Sequence, residues 1–185
     1  MMAMIVGVDE VGRGCWAGPV CVGVVVAHAG LEGLVDDSKK LSAGSRQVIA
    51  QLIKEQTAVN VGWASPTYID QFGIVAALKL AAERALTGLG APIEQILLDG
   101  NSNYLGDPRV RTIVGGDGVE PAIAAASIVA KVARDNYMQV MGARFANYGF
   151  ESHVGYGTAV HKAALAAFGP SAIHRMSFAP MKGMQ

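Results

Sequence analysis

Ile5-Val6-Gly7-Val8-Asp9-Glu10-Val11-Gly12-Arg13-Gly14 runs from a short apolar segment into two adjacent carboxylates and then a Gly-Arg-Gly tripeptide. The run before Asp9 is β-branched and does not alternate, the pattern of a strand buried on both faces. It carries two negative charges to the edge of a core. At about 4 Å and an effective dielectric near 20, two like charges repel by roughly 4 kcal/mol. Either the pair points into water or something positive sits between the side chains. Adjacent strand residues face opposite ways, so Asp9 and Glu10 converge only if the strand ends or bulges there. Gly12 and Gly14 make such a break easy. Taken alone, the Asp-Glu pair reads as a solvated strand end.

The chain of 185 residues is long enough for one domain, 1–185, with a real core. It is 51% hydrophobic and 16% charged, which excludes a disordered chain. Lys+Arg and Asp+Glu are both 15, for a formal net charge of +0. That excludes a protein coated in positive charge, but allows a local basic face balanced by an acidic site. Cys15 and Cys21 lack zinc-type spacing and are expected as reduced, small apolar residues, which suits the cytoplasm. The segment 14–31 is nearly uncharged, yet its glycines and Pro19 make it a poor membrane span. No basic residue precedes Arg13, so no signal peptide is expected.

Along the chain, 20–27 reads as a second strand, joined to the first by a Gly-rich turn that favours an antiparallel pair. A loop is expected over 28–35. Ser42 is the N-cap of an expected helix over 43–55, with Val48, Ile49, Leu52 and Ile53 on its buried face. A third strand is expected over 58–63. Ser65-Pro66 opens a short helix to about 71, and a longer one follows over 74–87, closed by Gly88. Strands at 95–98 and 110–114 end at Asp99-Gly100 and at Gly116-Asp117-Gly118. A long Ala-rich helix is expected over 121–148 and another over 158–168. Three early strands followed by helices alternating with short strands describe an α/β layered domain with a mixed sheet.

The acids then form a pattern. Asp9 and Glu10 end the first strand, Asp99 ends the fourth, and Asp117 follows the fifth, all next to glycine or at glycine-rich turns. Strand ends are where α/β folds build sites. Converging carboxylates with no His or Cys cluster suit hard divalent ions, Mg²⁺ or Mn²⁺. Two such ions about 4 Å apart would stabilise the attacking and leaving oxygens of phosphoryl transfer. Singly, Asp99 and Asp117 read as turn residues. On the long helix, Ser127, Lys131, Arg134 and Asp135 stand at i, i+4, i+7 and i+8 and share one stripe. It is either the solvated side of that helix or a phosphate-facing edge. Tyr156, between Gly155 and Gly157, is either a packed turn tyrosine or exposed enough to stack on a sugar or base. No HExxH or Walker A motif occurs.

The combination closely resembles bacterial ribonuclease HII, the type 2 ribonuclease H. The matching segments are Gly7 to Gly14 with Ala17-Gly18-Pro19-Val20, then Asp37-Ser38-Lys39-Lys40-Leu41-Ser42, Leu98-Asp99-Gly100-Asn101 and Gly116-Asp117-Gly118. They continue with Ala125 to Asp135, Gly155-Tyr156-Gly157-Thr158 and His174-Arg175-Met176-Ser177-Phe178-Ala179-Pro180, all in family order. The resemblance implies a ribonuclease H-like fold with a helical C-terminal part. It implies a metal-dependent endonuclease that cleaves RNA in RNA–DNA hybrids and single ribonucleotides embedded in duplex DNA, and a cytoplasmic monomer. The family's metal-binding carboxylates fall on Asp9, Glu10, Asp99 and Asp117. Its 2′-hydroxyl sensor falls on Gly12, Arg13 and Gly14, its junction tyrosine on Tyr156, and its phosphate-facing positions on Lys39, Ser127 and Lys131. The sequence departs from the family pattern at Cys15-Trp16, and at Gly115, Val154 and Met176, where basic residues are common. Those departures bear on affinity and salt tolerance more than on chemistry. Two rival readings are another two-metal nuclease or resolvase of the same fold, which would lack Gly-Arg-Gly, and a non-catalytic hybrid binder, which would have lost a carboxylate.

Overall fold

The computed structural model describes residues 4–35 and 42–184. The strands are β1 (Met4–Val11), β2 (Val20–Val26), β3 (Val59–Ala64), β4 (Ile93–Asp99) and β5 (Val110–Ile113). They form one sheet in the order β3-β2-β1-β4-β5. The β1–β2 and β2–β3 pairs are antiparallel, while β1–β4 and β4–β5 are parallel. The mixed sheet expected from the element order is present. The helices are α1 (Glu32–Val35), α2 (Ala43–Gln56), α3 (Pro66–Thr87), α4 (Pro121–Arg144), α5 (Phe150–His153) and α6 (Ala159–Phe168). Among the described residues no helix is long and apolar enough to cross a membrane.

Strand β1 is central, and its period of two divides its side chains between two layers. Val6 and Val8, with Val20, Val22 and Val24 of β2, pack on Ile69, Ala77, Leu78 and Ala81 of α3. Each fully buried valine contributes about 2 kcal/mol. Gly7 and Gly23 face the opposite layer, where α4 lies directly on the sheet backbone. A methyl group at Gly7 would stand 2.1 Å from the carbonyl carbon of Ala122, and one at Gly23 would stand 2.4 Å from the carbonyl oxygen of Ala126. The alanines of α4 are thus the counterpart of the strand glycines: small residues on both sides let helix and sheet touch. Asp9 lies on this α4 face, and Glu10 lies on the α3 face.

Several expectations need correction. β1 does not break at the acids. Asp9 pairs with Gly23 and Glu10 with Val22 in unbroken register, so the two side chains diverge. Gly12 and Gly14 fall beyond the last pair and bulge nothing. The expected loop over 28–35 is a 3₁₀ turn, Ala29–Leu31, followed by α1, because Leu31 and Val35 are buried against α2 and α4. Ser42 caps α2 as expected, accepting the Ser45 N–H at 3.1 Å. The buried face of α2 is narrower than its sequence suggested: Ala50 and Ile53 are buried, while Val48 and Leu52 are exposed. The two helices expected after Ser65 form α3, interrupted at Gly73, whose φ of 82° and ψ of 165° no helix contains. α4 stops at Arg144, short of 148, where Phe145 leaves helical geometry and Tyr148 turns back to stack on Phe150 at 5.3 Å. The acidic and basic patch at 36–41, including Lys39, lies outside the described residues.

The substitution Gly7→Ala tests the contact of α4 with the sheet. Backbone of α4 occupies the added methyl's place, so the helix must shift. We expect a loss of about 3 kcal/mol or more in urea unfolding, against less than about 1 kcal/mol for Gly33→Ala, which meets no atom within 4 Å.

Candidate active site

Asp9 is buried on the α4 side of β1, where Ser127 hydrogen-bonds it. Its Oδ1 also accepts the Glu10 N–H at 2.8 Å. β4 is the parallel neighbour of β1, and Asp99 follows Leu98, the partner of Val8, so Asp9 and Asp99 stand side by side one step further along. Asp99 Oδ1 accepts the Gly116 N–H at 2.7 Å, which ties the end of β4 to the 3₁₀ turn Gly116–Gly118 that carries Asp117. Asp117 is half-buried and engaged there. Across the strand, Glu10 meets Arg13 Nη1 at 3.2 Å. Burial pushes the Asp9 carboxyl up to about 7; the charge of Asp99 adds to the rise and the Ser127 hydrogen bond opposes it. Burial raises Glu10 as well, against the pull of Arg13.

A pocket of about 220 Å³ opens beside these acids, lined by Glu10, Asp99, Arg13, Asn101, Leu78 and Tyr104 among others. Among the described residues, no three carboxylate, imidazole or thiol groups stand ready to hold a metal ion, since each acid is drawn to its own partner. The pocket wall offers oxygen donors, the carboxylates of Glu10 and Asp99 with the side chains of Asn101, Ser102 and Tyr104, and no imidazole or thiol. That chemistry suits Mg²⁺ or Mn²⁺.

The Gly-Arg-Gly turn leaves β1 directly beside Glu10. Gly12 is required by the protein itself: its φ is +86°, and a methyl there would meet the Arg134 guanidinium at 2.1 Å. Gly14 answers no such demand. Its φ is ordinary and nothing lies within 4 Å of the place its methyl would take. No neighbouring atom requires glycine at position 14, and the turn is open there.

Behind this turn sit two fully buried arginines. Arg175 donates to the carbonyls of Gly12 at 2.6 Å, Arg13 at 2.9 Å and Gly18 at 3.0 Å. Arg134 donates to the carbonyls of Pro19 at 3.0 Å, Ala17 at 3.1 Å and Val154 at 2.8 Å. Arg134 thus leaves the polar stripe expected on its helix. It points inward and faces no solvent. Ser127 lies against Asp9, and Lys131 pairs with Asp135 at 2.8 Å with about a third of its side chain exposed.

Tyr156 is 43% exposed. Its hydroxyl reaches the Cys15 thiol, which brings the Gly155–Gly157 loop against the Gly-Arg-Gly turn. Three buried histidines support that loop. Ser171 N donates to His174 Nδ1 at 2.8 Å, so His174 Nε2 carries the proton and donates to His161 Nε2 at 2.9 Å. His161 Nδ1 then donates to the Tyr156 carbonyl at 2.9 Å. His153 accepts the Gly155 N–H at 3.2 Å and meets the Tyr148 carbonyl at 2.8 Å. This order of protons requires neutral imidazoles. Burial lowers His161, and burial with the neighbouring His161 pulls His174 down to about 4.

Compared with known proteins, residues 6–181 match the family model described as Ribonuclease HII. The chain belongs to the ribonuclease HII family. It is 48% identical over 180 residues to the Ribonuclease HII of Streptomyces avermitilis, covering 95% of this chain and 77% of that one. It is also 48% identical over 183 residues to that of Halorhodospira halophila, covering 96% and 93%. Among solved structures, the ribonuclease HII of Archaeoglobus fulgidus, determined with PCNA, superposes with a TM-score of 0.80 at 29% identity over 95% of each chain. Bst-RNase HIII, determined with Mn²⁺, shares the fold with a TM-score of 0.74 at 23% identity, over 97% of this chain and 68% of that one. The ribonuclease H-like α/β fold expected from the motifs is the fold observed, and the chain is an endonuclease of the ribonuclease H kind. In this ribonuclease HII family member, residue-by-residue reading missed Arg175, the histidine relay and Tyr104. His174-Arg175 belongs to the segment His174 to Pro180, but nothing local in the sequence reveals which carbonyls the guanidinium meets.

The histidines set a pH dependence of stability. His174 stays neutral in the fold down to about 4, while an unfolded histidine protonates near 6.5. Above that value the two states bind no proton and stability is full. As pH falls from 6.5 toward 4, the unfolded chain takes up protons that the folded one refuses, and on the order of 3 kcal/mol is lost. Urea midpoints at pH 7.0, 5.5 and 4.5 should fall for the parent chain and fall less steeply for His174→Gln.

Proposed function

We propose that this chain hydrolyses RNA within RNA–DNA hybrids and cleaves on the 5′ side of single ribonucleotides in duplex DNA, leaving 3′-hydroxyl and 5′-phosphate ends. The observation that carries the reading is the adjacency of two features. Asp9, Glu10 and Asp99 lie beside a turn whose Gly14 is open to a ligand, and an exposed Tyr156 is drawn against that same turn. Carboxylates alone fit many nucleases. A backbone turn accessible at a glycine, next to an aromatic ring, fits discrimination of a ribose by its 2′-hydroxyl.

In this reading Asp9, Glu10, Asp99 and Asp117 are the cation ligands, for two Mg²⁺ or Mn²⁺ ions when substrate is bound. The Mn²⁺ bound by Bst-RNase HIII supports the choice of metal class. Such ions, when bound, supply the charge that stabilises the attacking water oxygen and the departing 3′ oxygen in line with phosphorus. The protein does the rest. Arg175 and Arg134 hold the carbonyls of the Gly12–Pro19 turn inward, which leaves Gly12, Arg13 and Gly14 to present their N–H side to the 2′-hydroxyl. Tyr156 packs against the sugar that follows the ribonucleotide, where no 2′ oxygen stands in the way. Ser127, Lys131 and Lys39 take phosphates along the strand. The 2′-hydroxyl is recognised and does not attack, so no cyclic phosphate forms. The chain works as a cytoplasmic monomer on nucleic acid.

The test is a DNA duplex with one ribonucleotide, incubated with and without Mg²⁺ or Mn²⁺. A metal-dependent nick 5′ of the ribonucleotide with 3′-hydroxyl and 5′-phosphate ends is expected; a 2′,3′-cyclic phosphate sinks the mechanism. Asp99→Asn should fold normally and retain less than about a thousandth of the activity, the scale on which enzymes depend on a charged catalytic group. Tyr156→Ala should lower kcat/KM by about tenfold or more on the single-ribonucleotide duplex, at the stacking energy of one ring, and less on an all-RNA strand in a hybrid. Equal losses on both substrates remove Tyr156 from junction reading.

A further inference from the structure

One polar group beside the acids has no partner. Among the described residues, the buried side-chain oxygen without any hydrogen bond is the Tyr104 hydroxyl. Burying a donor unpaired costs stability, and nothing in the surrounding loop is slack enough to explain it. Asn103 accepts the Gly106 N–H at 3.0 Å and donates to the Asp107 carbonyl at 3.0 Å. Arg109 grips Asp107 at 2.6 Å and the Ile93 carbonyl at 3.0 Å. Leu105 is buried and Tyr104 itself packs on the α3-side core. The loop from β4 to β5 is built, and it sets the ring into the wall of the pocket that Glu10, Arg13 and Asp99 share.

The hydroxyl sits within the field of every charged group there. Burial, and the negative charges of Glu10, Asp9 and Asp99, hold its proton far more tightly than in a free phenol, with Arg13 opposing. Glu10 exerts the largest charge effect of the four. Glu10, in turn, has one side-chain donor, Arg13 at 3.2 Å, whose side chain is 57% exposed. Such an exposed pair is weak. Arg13 also stands in the turn that meets substrate, and it cannot hold Glu10 and face a phosphate at once.

We propose that Tyr104 is a positioning residue for Glu10: in the cation-loaded, substrate-bound site its hydroxyl donates to the Glu10 carboxylate and holds it toward Asp99 while Arg13 turns out to the substrate. This rests on the reading of Glu10 as a cation ligand. A donor behind a ligating carboxylate fixes its orientation and raises the affinity of the site. The hydroxyl is unpaired in the fold because its acceptor arrives only when Glu10 swings.

Tyr104→Phe removes one oxygen and keeps the ring, so folding is preserved. Four quantities are measured on the parent chain, Tyr104→Phe and Asp99→Asn: the metal-free melting temperature, Mn²⁺ affinity by calorimetry, and kcat and KM on a single-ribonucleotide duplex. For Tyr104→Phe we expect an unchanged or raised melting temperature, Mn²⁺ binding weakened about tenfold, and kcat lowered about tenfold at near-constant KM. A purely structural tyrosine moves neither Mn²⁺ affinity nor kcat. Mn²⁺ affinity and kcat within about twofold of the parent, with Asp99→Asn still defective, overturn the role of Tyr104 and leave the site intact. A parent chain that neither binds Mn²⁺ nor cleaves overturns the site itself, and the proposal with it.

Discussion

Two guanidinium groups buried against backbone carbonyls are the constraint on which the part of this molecule around the Gly12–Pro19 turn depends. A buried cation costs several kcal/mol unless its donors are satisfied, and a planar fork of five donors can be satisfied only by acceptors in fixed places. Arg134 and Arg175 find theirs in the Gly12–Pro19 turn, at Arg13 and Gly18 among others, and at Val154. The carbonyls in turn would be orphans without them. Neither side can move alone. This mutual requirement explains why Val154, a β-branched residue, tolerates a φ of 45°. Strain of that kind persists only where the surroundings over-determine it, and here a guanidinium takes the Val154 carbonyl while His153 takes the next N–H.

The same division of labour separates the acids. A strand with buried faces must send Asp9 and Glu10 to opposite layers, so no turn chemistry can make them neighbours. Convergence comes instead from the sheet. A parallel partner ending one step beyond Val8 brings Asp99 beside Asp9, and the Gly116 N–H draws in the turn with Asp117. Burial then makes the charge on Asp9 expensive, which is the condition under which added positive charge is bound most strongly. Gly23 opposite Asp9 contributes by absence: a larger residue would collide with α4 and lift the helix that carries Ser127.

Much of this was readable in the sequence, and the remainder had a physical reason to be hidden. The apolar run before Asp9, the alanines of 121–130 and the caps at Ser42 and Ser65 are local signals, and they gave the right elements because local propensity and burial agree there. The reading of Asp9, Glu10, Asp99 and Asp117 as one site rests on ordered motifs, since spacing alone reads two of them as turn residues. The break that would let Asp9 and Glu10 converge is absent, because glycines permit a break without requiring one. Arg134 failed for a different reason. Helical spacing places it on a stripe with Lys131 and Asp135, but a stripe lined by carbonyls and a stripe lined by water have the same sequence. Only the meeting of α4 with a turn more than a hundred residues earlier distinguishes them. The helix α1 escaped notice because four residues carry no period, and its cause is the burial of Leu31 and Val35 in a cluster from distant segments.

The arginines also bear on the charge deficit. A protein with a net charge of +0, and with the uncharged residues Gly115, Val154 and Met176, has little long-range attraction for a polyanion. Solvated lysines at those places would act over about 8 Å at physiological salt before screening cancels them. Charge held in a low-dielectric interior is screened much less. Arg134 and Arg175 lie directly behind the carbonyls of the Gly-rich turn, with no carboxylate hydrogen-bonded to either guanidinium. Their charge therefore adds to the outward-facing backbone dipoles of that turn. Positive potential is concentrated at that turn instead of spread over the surface. Long-range attraction is weak and the positive charge is local, while the half-buried Lys131 of α4 is paired with Asp135.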